Sequence, residues 1–408
     1  YIKPGDRLSD RQPILIDVAS GKTTIVDRKL FPNAYFQSEP AWWSDGRGFY
    51  IRYNQRGHQV YRVIEVNRDG VPHVVIDEQS KTYIEYSAKT VFEAQDHGRE
   101  IVWMSERDGW CHLYLYDGVK GTVKTQITRG QWAVRNVIHT DWDKRQIVFA
   151  ANGKEQGEDP YFVHFYRINF DGTGLIRLTD GAGTHALTFS PDWQTYVDIW
   201  SRVDLAPIAQ LRRASDGQML MELERADIGA LLAAGWTAPE PFVAKGRDGL
   251  TEIHGVIVKP SNFDPAKKYP VIETIYAGPQ GAFTPKSFSA YRPAQAQAEL
   301  GFIVVQMDGM GTSYRSKAFH DVSWKNLADA GFPDRILWHK AAAAKYPWYD
   351  ITRMGIYGGS AGGQNAMGAV LFHPDFYDAA VAFAGSHDNR MDKIWWNEQY
   401  MGWPVGPE

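Results

Sequence analysis

A chain of 408 residues is too long for one ordinary core, so two domains are expected, and an apolar fraction of 44% makes both globular. A net charge of −4 and a pI near 6.3 give no case for a nucleic acid or an anionic membrane surface as partner, and no apolar run reaches the length of a membrane span. A single cysteine, Cys111, excludes an internal disulfide and reads as a small buried apolar residue.

Fifteen Trp and 21 Tyr suit a β-rich architecture. The abrupt start Tyr1-Ile2-Lys3 leads us to expect a processed or truncated beginning. Over the first 225 or so residues two units recur with a period of roughly 50, the spacing of propeller blades. One is a polar turn leading into a strand. It appears at Trp43-Ser44-Asp45-Gly46, Gln95-Asp96-His97-Gly98, Trp142-Asp143-Lys144 and Ser190-Pro191-Asp192-Trp193. The other is a hairpin with an Asp-Gly turn, at Asp69-Gly70, Asp117-Gly118, Asp171-Gly172 and Asp216-Gly217. A half-copy runs from Ile14 to Lys22. About four whole blades and the end of a fifth are expected. A plain β-sandwich is the alternative, but the phased recurrence of paired units favours the propeller.

Composition shifts near Trp236-Thr237-Ala238-Pro239, a linker signal, which divides the chain into 1–236 and 237–408. A hairpin follows, with Glu252–Val258 as one strand. Strands and helices then alternate: a strand at 271–276, a helix at 294–300, a strand at 302–307, a helix at 334–345, a strand at 353–357, a helix after Ser360 and a strand at 379–384. That alternation implies a mainly parallel α/β sheet.

Between the last strand pair lies Gly358-Gly359-Ser360-Ala361-Gly362-Gly363, which reads Gly-x-Ser-x-Gly. In a chain with 38 glycines the motif alone is weak, but its place between an apolar strand and a helix makes Ser360 a candidate nucleophile on a sharp turn. The backbone N–H of Ala361 points into the same turn and is a candidate oxyanion donor. Other motifs are weaker. Asp308-Gly309-Met310-Gly311-Thr312-Ser313 lacks the lysine of a phosphate loop and reads as a turn at a strand end. His97, His112, His164 and His185 have no metal spacing, so neither metal nor cofactor is expected. Ala341–Ala344 reads as helix-forming filler, and Arg202, Arg212 and Arg213 as solvated blade edges.

A propeller followed by an α/β sheet with this motif resembles the prolyl oligopeptidase family, and more closely its dipeptidyl peptidase IV branch. Four stretches carry the resemblance: Ser105–Trp110 with His112–Tyr116, Tyr276-Ala277-Gly278-Pro279, Gly358–Gly363, and Trp396-Asn397-Glu398-Gln399-Tyr400-Met401-Gly402. It implies a partial β-propeller followed by an α/β-hydrolase domain that runs only a little past the nucleophile. It implies that Tyr276 is a second oxyanion donor, against the alternative of a packed core aromatic. It makes Trp396, with Trp395 and Tyr400, the aromatic wall of a pocket for the residue before the scissile bond. For Trp395 and Tyr400 an ordinary core role is an equal alternative.

In this family the triad Asp and His lie far downstream of the serine, and only 48 residues follow Ser360. Asp375, Asp378, Asp388 and Asp392 follow it, as do His373 and His387, but neither histidine has the placement a triad requires. The chain is therefore expected to be a portion of a longer one, cut at both ends and inactive alone. The expected activity is hydrolysis of short peptides through an acyl-enzyme, with release of N-terminal dipeptides after Pro or Ala. The branch holds the substrate amine with adjacent glutamates, and no Glu-Glu pair occurs in these 408 residues. An acyl-peptide hydrolase or esterase, and a non-catalytic peptide-binding propeller, are the rival readings. The resemblance also implies a homodimer and a periplasmic or secreted location.

Overall fold

The computed structural model describes residues 1–405. A two-stranded ribbon, Ile14–Ile16 with Thr23–Ile25, is followed by four antiparallel sheets in chain order. They run from Ala34–Gln37 to Pro72–Gln79, from Phe92–Gln95 to Thr122–Gln126, from Ala133–Asp141 to Ile176–Arg177, and from Thr184–Phe189 to Met219–Arg225. These are the half-blade and the four blades of a β-propeller.

The Asp-Gly turns join the last two strands of each blade. Gly70, Gly172 and Gly217 have φ of 82°, 82° and 75°, a left-handed conformation that costs least without a Cβ. In the second blade the same task falls to Gly121, at φ 68°, three residues past Gly118. The inner blade strands are buried on both faces because each blade is stacked between neighbours, whereas the outer strand Met219–Arg225 is exposed along its length. In Glu100–Ser105, Ile101 and Trp103 face Val63 and Ile76 of the preceding blade. Val102 and Met104 face Ile147 and Phe149 of the next. Cys111 is fully buried in that second layer, as expected.

Residues from Glu240 to Phe383 form one six-stranded sheet. Its order is Glu240–Lys245, Glu252–Val258, Ile303–Met307, Tyr269–Thr274, Tyr349–Gly359, Ala379–Phe383. The last four are mutually parallel and the first two join antiparallel. The helix Phe332–Lys345 drives Trp338 into the core against Phe242; the alanine run is helical as expected, with Ala342 fully buried, Ala341 and Ala343 packed on the core and Ala344 exposed. Under the sheet centre, Glu273 is bonded by Arg335, by His339 Nε2 at 2.9 Å and by the Tyr377 hydroxyl at 2.8 Å.

Several sequence expectations change. The strand at 353–357 extends to Tyr349–Gly359. Three further helices form: the short Gly229–Ala233, then Lys317–Asp321 and Ile394–Met401. The second is capped by Ser316, whose Oγ accepts the Phe319 N–H at 3.2 Å. Arg212 is no solvated edge: it is buried, donates to Gln210 and the Gly217 carbonyl, and lies 3.3 Å from Asp198. Arg202 and Arg213 do stay at the surface, paired with Asp204 and Asp216.

Candidate active site

The strand Tyr349–Gly359 ends at Ser360, and the helix Ala361–Phe372 begins on the next residue. Ser360 has φ 56° and ψ −123°, a conformation that L-residues rarely adopt and that surrounding structure must enforce. Enforcement comes from both sides. Ser360 N–H donates to the Phe383 carbonyl at 3.0 Å, and its own carbonyl accepts from Gln364 N–H at 3.1 Å. The flanking glycines have no room for a side chain. A Cβ on Gly362 would strike the Ile275 carbonyl, one on Gly358 the Gly362 carbonyl, and one on Gly363 would lie 2.5 Å from the Phe383 carbonyl. The turn thus lifts the Ser360 side chain, which is exposed, into a cleft of about 360 Å³.

Tyr276, Gln280, Ala361, Trp395 and Trp396 line the same cleft. Ala361 is the first residue of its helix, so its N–H has no intrahelical acceptor and is free for an anion at the turn. Tyr276 follows the strand Tyr269–Thr274, and its hydroxyl accepts from Gln280 Nε2 at 3.1 Å. With an acceptor position filled, the phenol's single proton is left to donate. The loop after Tyr276 is pinned to the serine helix: Ala277 N–H donates to Asn365 Oδ1 at 3.3 Å, and Asn365 Nδ2 donates to the Leu327 carbonyl at 3.1 Å. Gly278 lies under Trp396, where a Cβ would sit 2.9 Å from the indole.

Trp396 is buried on the helix Ile394–Met401, edge-on to Trp395 at 5.7 Å and to Tyr400 at 5.0 Å between ring centroids. Tyr400 is the exception among the expected pocket residues. It has no exposed surface and does not line the cleft; its hydroxyl donates to Glu85 of the propeller at 2.6 Å. It lies one turn beyond Trp396 on the same helix face, where Tyr83 and Glu85 of the propeller cover it.

His373 caps the far end of the 12-residue serine helix, about 20 Å from Ser360 at the helical rise per residue, and bonds Asp329 at 2.6 Å. His387 lies on the cleft rim, exposed, packed over Gly385. Among the described residues neither is hydrogen-bonded to Ser360, and no group of three or more His, Cys, Asp or Glu side chains is placed to hold a metal. His164 and His185 do meet, 4.8 Å between centroids, but each is bonded to its own carboxylate, Glu158 and Asp198. The glycine-rich segment follows the strand Ile303–Met307 and turns through a Thr312 N–H to Gly309 carbonyl bond, while the Asp308 carboxylate accepts the Phe283 and Thr284 N–H groups.

Gln280 and Asn365 were not anticipated. The signal for Asn365 is one of two adjacent amides, Gln364 and Asn365, among the small apolar residues of the serine helix, where a buried amide has to answer a polar group. Gln280 has no comparable mark beyond lying four residues from Tyr276.

A serine on a strained strand-to-helix turn, an adjacent free N–H and a phenol share one cleft at the strand ends of an α/β-hydrolase sheet. Residues 1–207 match the family described as the dipeptidyl peptidase IV (DPP IV) N-terminal region, and 287–408 match the prolyl oligopeptidase family. The chain belongs to the dipeptidyl peptidase IV branch of the prolyl oligopeptidase family. It is 26% identical to human dipeptidyl peptidase 8 over 84% of its own length and 42% of the relative's. It is 25% identical to dipeptidyl peptidase 4 of Trichophyton rubrum over 95% of its length and 51% of the relative's. The crystal structure of Porphyromonas gingivalis dipeptidyl peptidase 4 superposes with a TM-score of 0.81 at 25% identity, over 99% of this chain and 56% of that one. A putative dipeptidyl aminopeptidase IV from Bacteroides ovatus has the same fold, with a TM-score of 0.80. The chain thus spans about half the length of the relatives it matches. Among the described residues no helix is long and apolar enough to cross a membrane.

Proposed function

We propose that the full-length protein is a serine peptidase that cleaves short peptides through an acyl-enzyme on Ser360 and releases N-terminal dipeptides after Pro or Ala. The carrying observation is the forced backbone of Ser360, at φ 56°, opening on a cleft shared with Tyr276 and Trp396. In this reading the serine Oγ attacks the scissile carbonyl as a general base of the full-length protein takes its proton, and that proton passes to the leaving amine when the C–N bond breaks. The Ala361 N–H and the Tyr276 hydroxyl then take up the negative charge on its oxygen. Donors held in place before the reaction stabilise that charge without reorganising at the moment it forms. Trp396, with Trp395, offers an aromatic face to the flat proline ring. Tyr400 supports that wall from behind. The dipeptide register rests on the relatives' names, since the sequence has no Glu-Glu pair for a substrate amine. The division of labour is a propeller in 1–236 that filters substrates by size and a catalytic part in 237–408. Action as a homodimer outside the cytoplasm rests on the family alone.

A panel of X-Pro, X-Ala, blocked-peptide and simple ester reporters tests the reading on the full-length protein. Release of X-Pro or X-Ala dipeptides supports it, while turnover of esters or blocked peptides alone defeats the dipeptidyl assignment.

A further inference from the structure

Behind the cleft, the propeller segment between Gln79 and Phe92 reaches into the hydrolase part. Tyr83, with no exposed surface, donates to Ser323 Oγ at 2.8 Å or accepts from it, and packs edge-on against Tyr400 at 5.0 Å. Glu85 takes the Tyr400 hydroxyl, and the Ile84 carbonyl accepts from Gln399 Nε2 at 3.1 Å. At the end of the segment is Lys89, an almost fully buried ammonium paired with Glu106 at 2.7 Å. Its Nζ also lies 3.3 Å from Nδ1 of His320, and His320 Nε2 lies 2.6 Å from the carbonyl oxygen of Pro279.

These partners fix the imidazole's state. A carbonyl only accepts, so Nε2 carries the proton. An ammonium only donates, so Nδ1 carries none. The ring is neutral, and burial with Lys89 nearby pushes its pKa well below the ordinary histidine value. Pro279 ends the Tyr276-Ala277-Gly278-Pro279 loop, whose other pins are Asn365 on Ala277 and Trp396 on Gly278. We propose that His320, oriented by Lys89 of the propeller, is a positioning residue that holds the Tyr276 loop at the distance from Ser360 at which the phenol can meet the oxyanion. This rests on the peptidase reading above. It adds that the propeller is mechanically part of the oxyanion site and not only a filter in front of it. Without the His320 bond the loop keeps two pins and loses the one nearest its far end. Misplacing a donor by about 1 Å costs on the order of 100-fold in rate, while ground-state contacts on Trp396 are untouched.

The test uses the full-length protein and an X-Pro chromogenic reporter. His320→Asn cannot reach Pro279 from its shorter side chain, and kcat is expected to fall about 10- to 100-fold with KM changed less than about twofold. His320→Gln places an N–H near the Nε2 position and is expected to restore kcat to within about threefold of the parent. Equal losses in the two variants, or a loss carried by KM, would overturn the proposal. Should the Asn variant fail to fold, Lys89→Leu with Glu106→Gln removes the donor to Nδ1 without stranding a carboxylate. Its kcat is expected to drop about 3- to 10-fold at constant KM, and an unchanged kcat would overturn the proposal. Tyr276→Phe runs alongside. If it keeps the parent rate, the oxyanion role of Tyr276 fails; if it is slow while both His320 variants are fast, only the positioning proposal fails.

Discussion

Glu273 offers the sharpest test of what holds the catalytic sheet together. Its carboxylate has no exposed surface, and neither does His339; Arg335 is 1% exposed. Burial alone would raise the pKa of Glu273. Arg335, His339 and Tyr377 outweigh it and hold the group down to about 2, from an ordinary 4.5. Glu273→Gln keeps the shape but removes the charge, leaving the Arg335 guanidinium buried without a counter-ion and turning an amide N–H toward a donor. Breaking a buried pair in this way costs roughly 3–5 kcal/mol. The expected result is a urea midpoint lowered by about 1.5–2.5 M at an m-value near 2 kcal/mol/M, followed by Trp fluorescence, since Trp338 adjoins His339 at 5.6 Å. Because folding lowers this pKa, the stabilisation is fully present above pH 4.5 and is lost as pH falls toward 2. The variant's deficit relative to the parent should therefore shrink over that interval. A deficit under about 1 kcal/mol at pH 7, or one constant down to pH 3, would refute the reasoning.

Other outcomes follow from the same geometry. Gly362→Ala drives a methyl into the Ile275 carbonyl at the turn, so probe acylation of Ser360 should slow by at least about 100-fold; parent-like acylation would mean the turn is not rigid. Trp396→Leu keeps an apolar wall but loses the aromatic face. We expect kcat/KM for X-Pro to fall about tenfold, with a smaller loss for X-Ala, measured on paired reporters. Arg56→Met leaves Glu398 buried with little beyond the Gly5 N–H for a partner, and should destabilise by about 3–5 kcal/mol in thermal or urea unfolding.

Much of the fold is legible in the sequence because its signals are local. An Asp-Gly pair needs only its own backbone to mark a hairpin, and the phasing of four such pairs gave the blades. The elbow is legible from its local Gly-x-Ser-x-Gly pattern, in which Gly358 closes on the Gly362 carbonyl, whereas the close approaches of Gly362 to Ile275 and of Gly363 to Phe383 come from neighbouring strands. What is not legible is set by contacts between distant parts of the chain. The helix Ile394–Met401 reads as an aromatic run. Its buried face is defined by Arg56, Ile84 and Glu85, more than 300 residues away. Tyr400 looks like a pocket residue beside Trp396 until Glu85 claims its hydroxyl. Arg212 looks like a surface charge until Asp198 and Gln210 enclose it. Lys89 and His320 are separated by 231 residues, and nothing around either announces the other.

The central claim is that Ser360 is an activated nucleophile in the full-length protein. Intact-mass measurement before and after a fluorophosphonate probe, on the parent and on Ser360→Ala, tests it most directly. The account predicts one adduct on the parent and none on the variant. No adduct on the parent, or an adduct that survives the substitution, would contradict it.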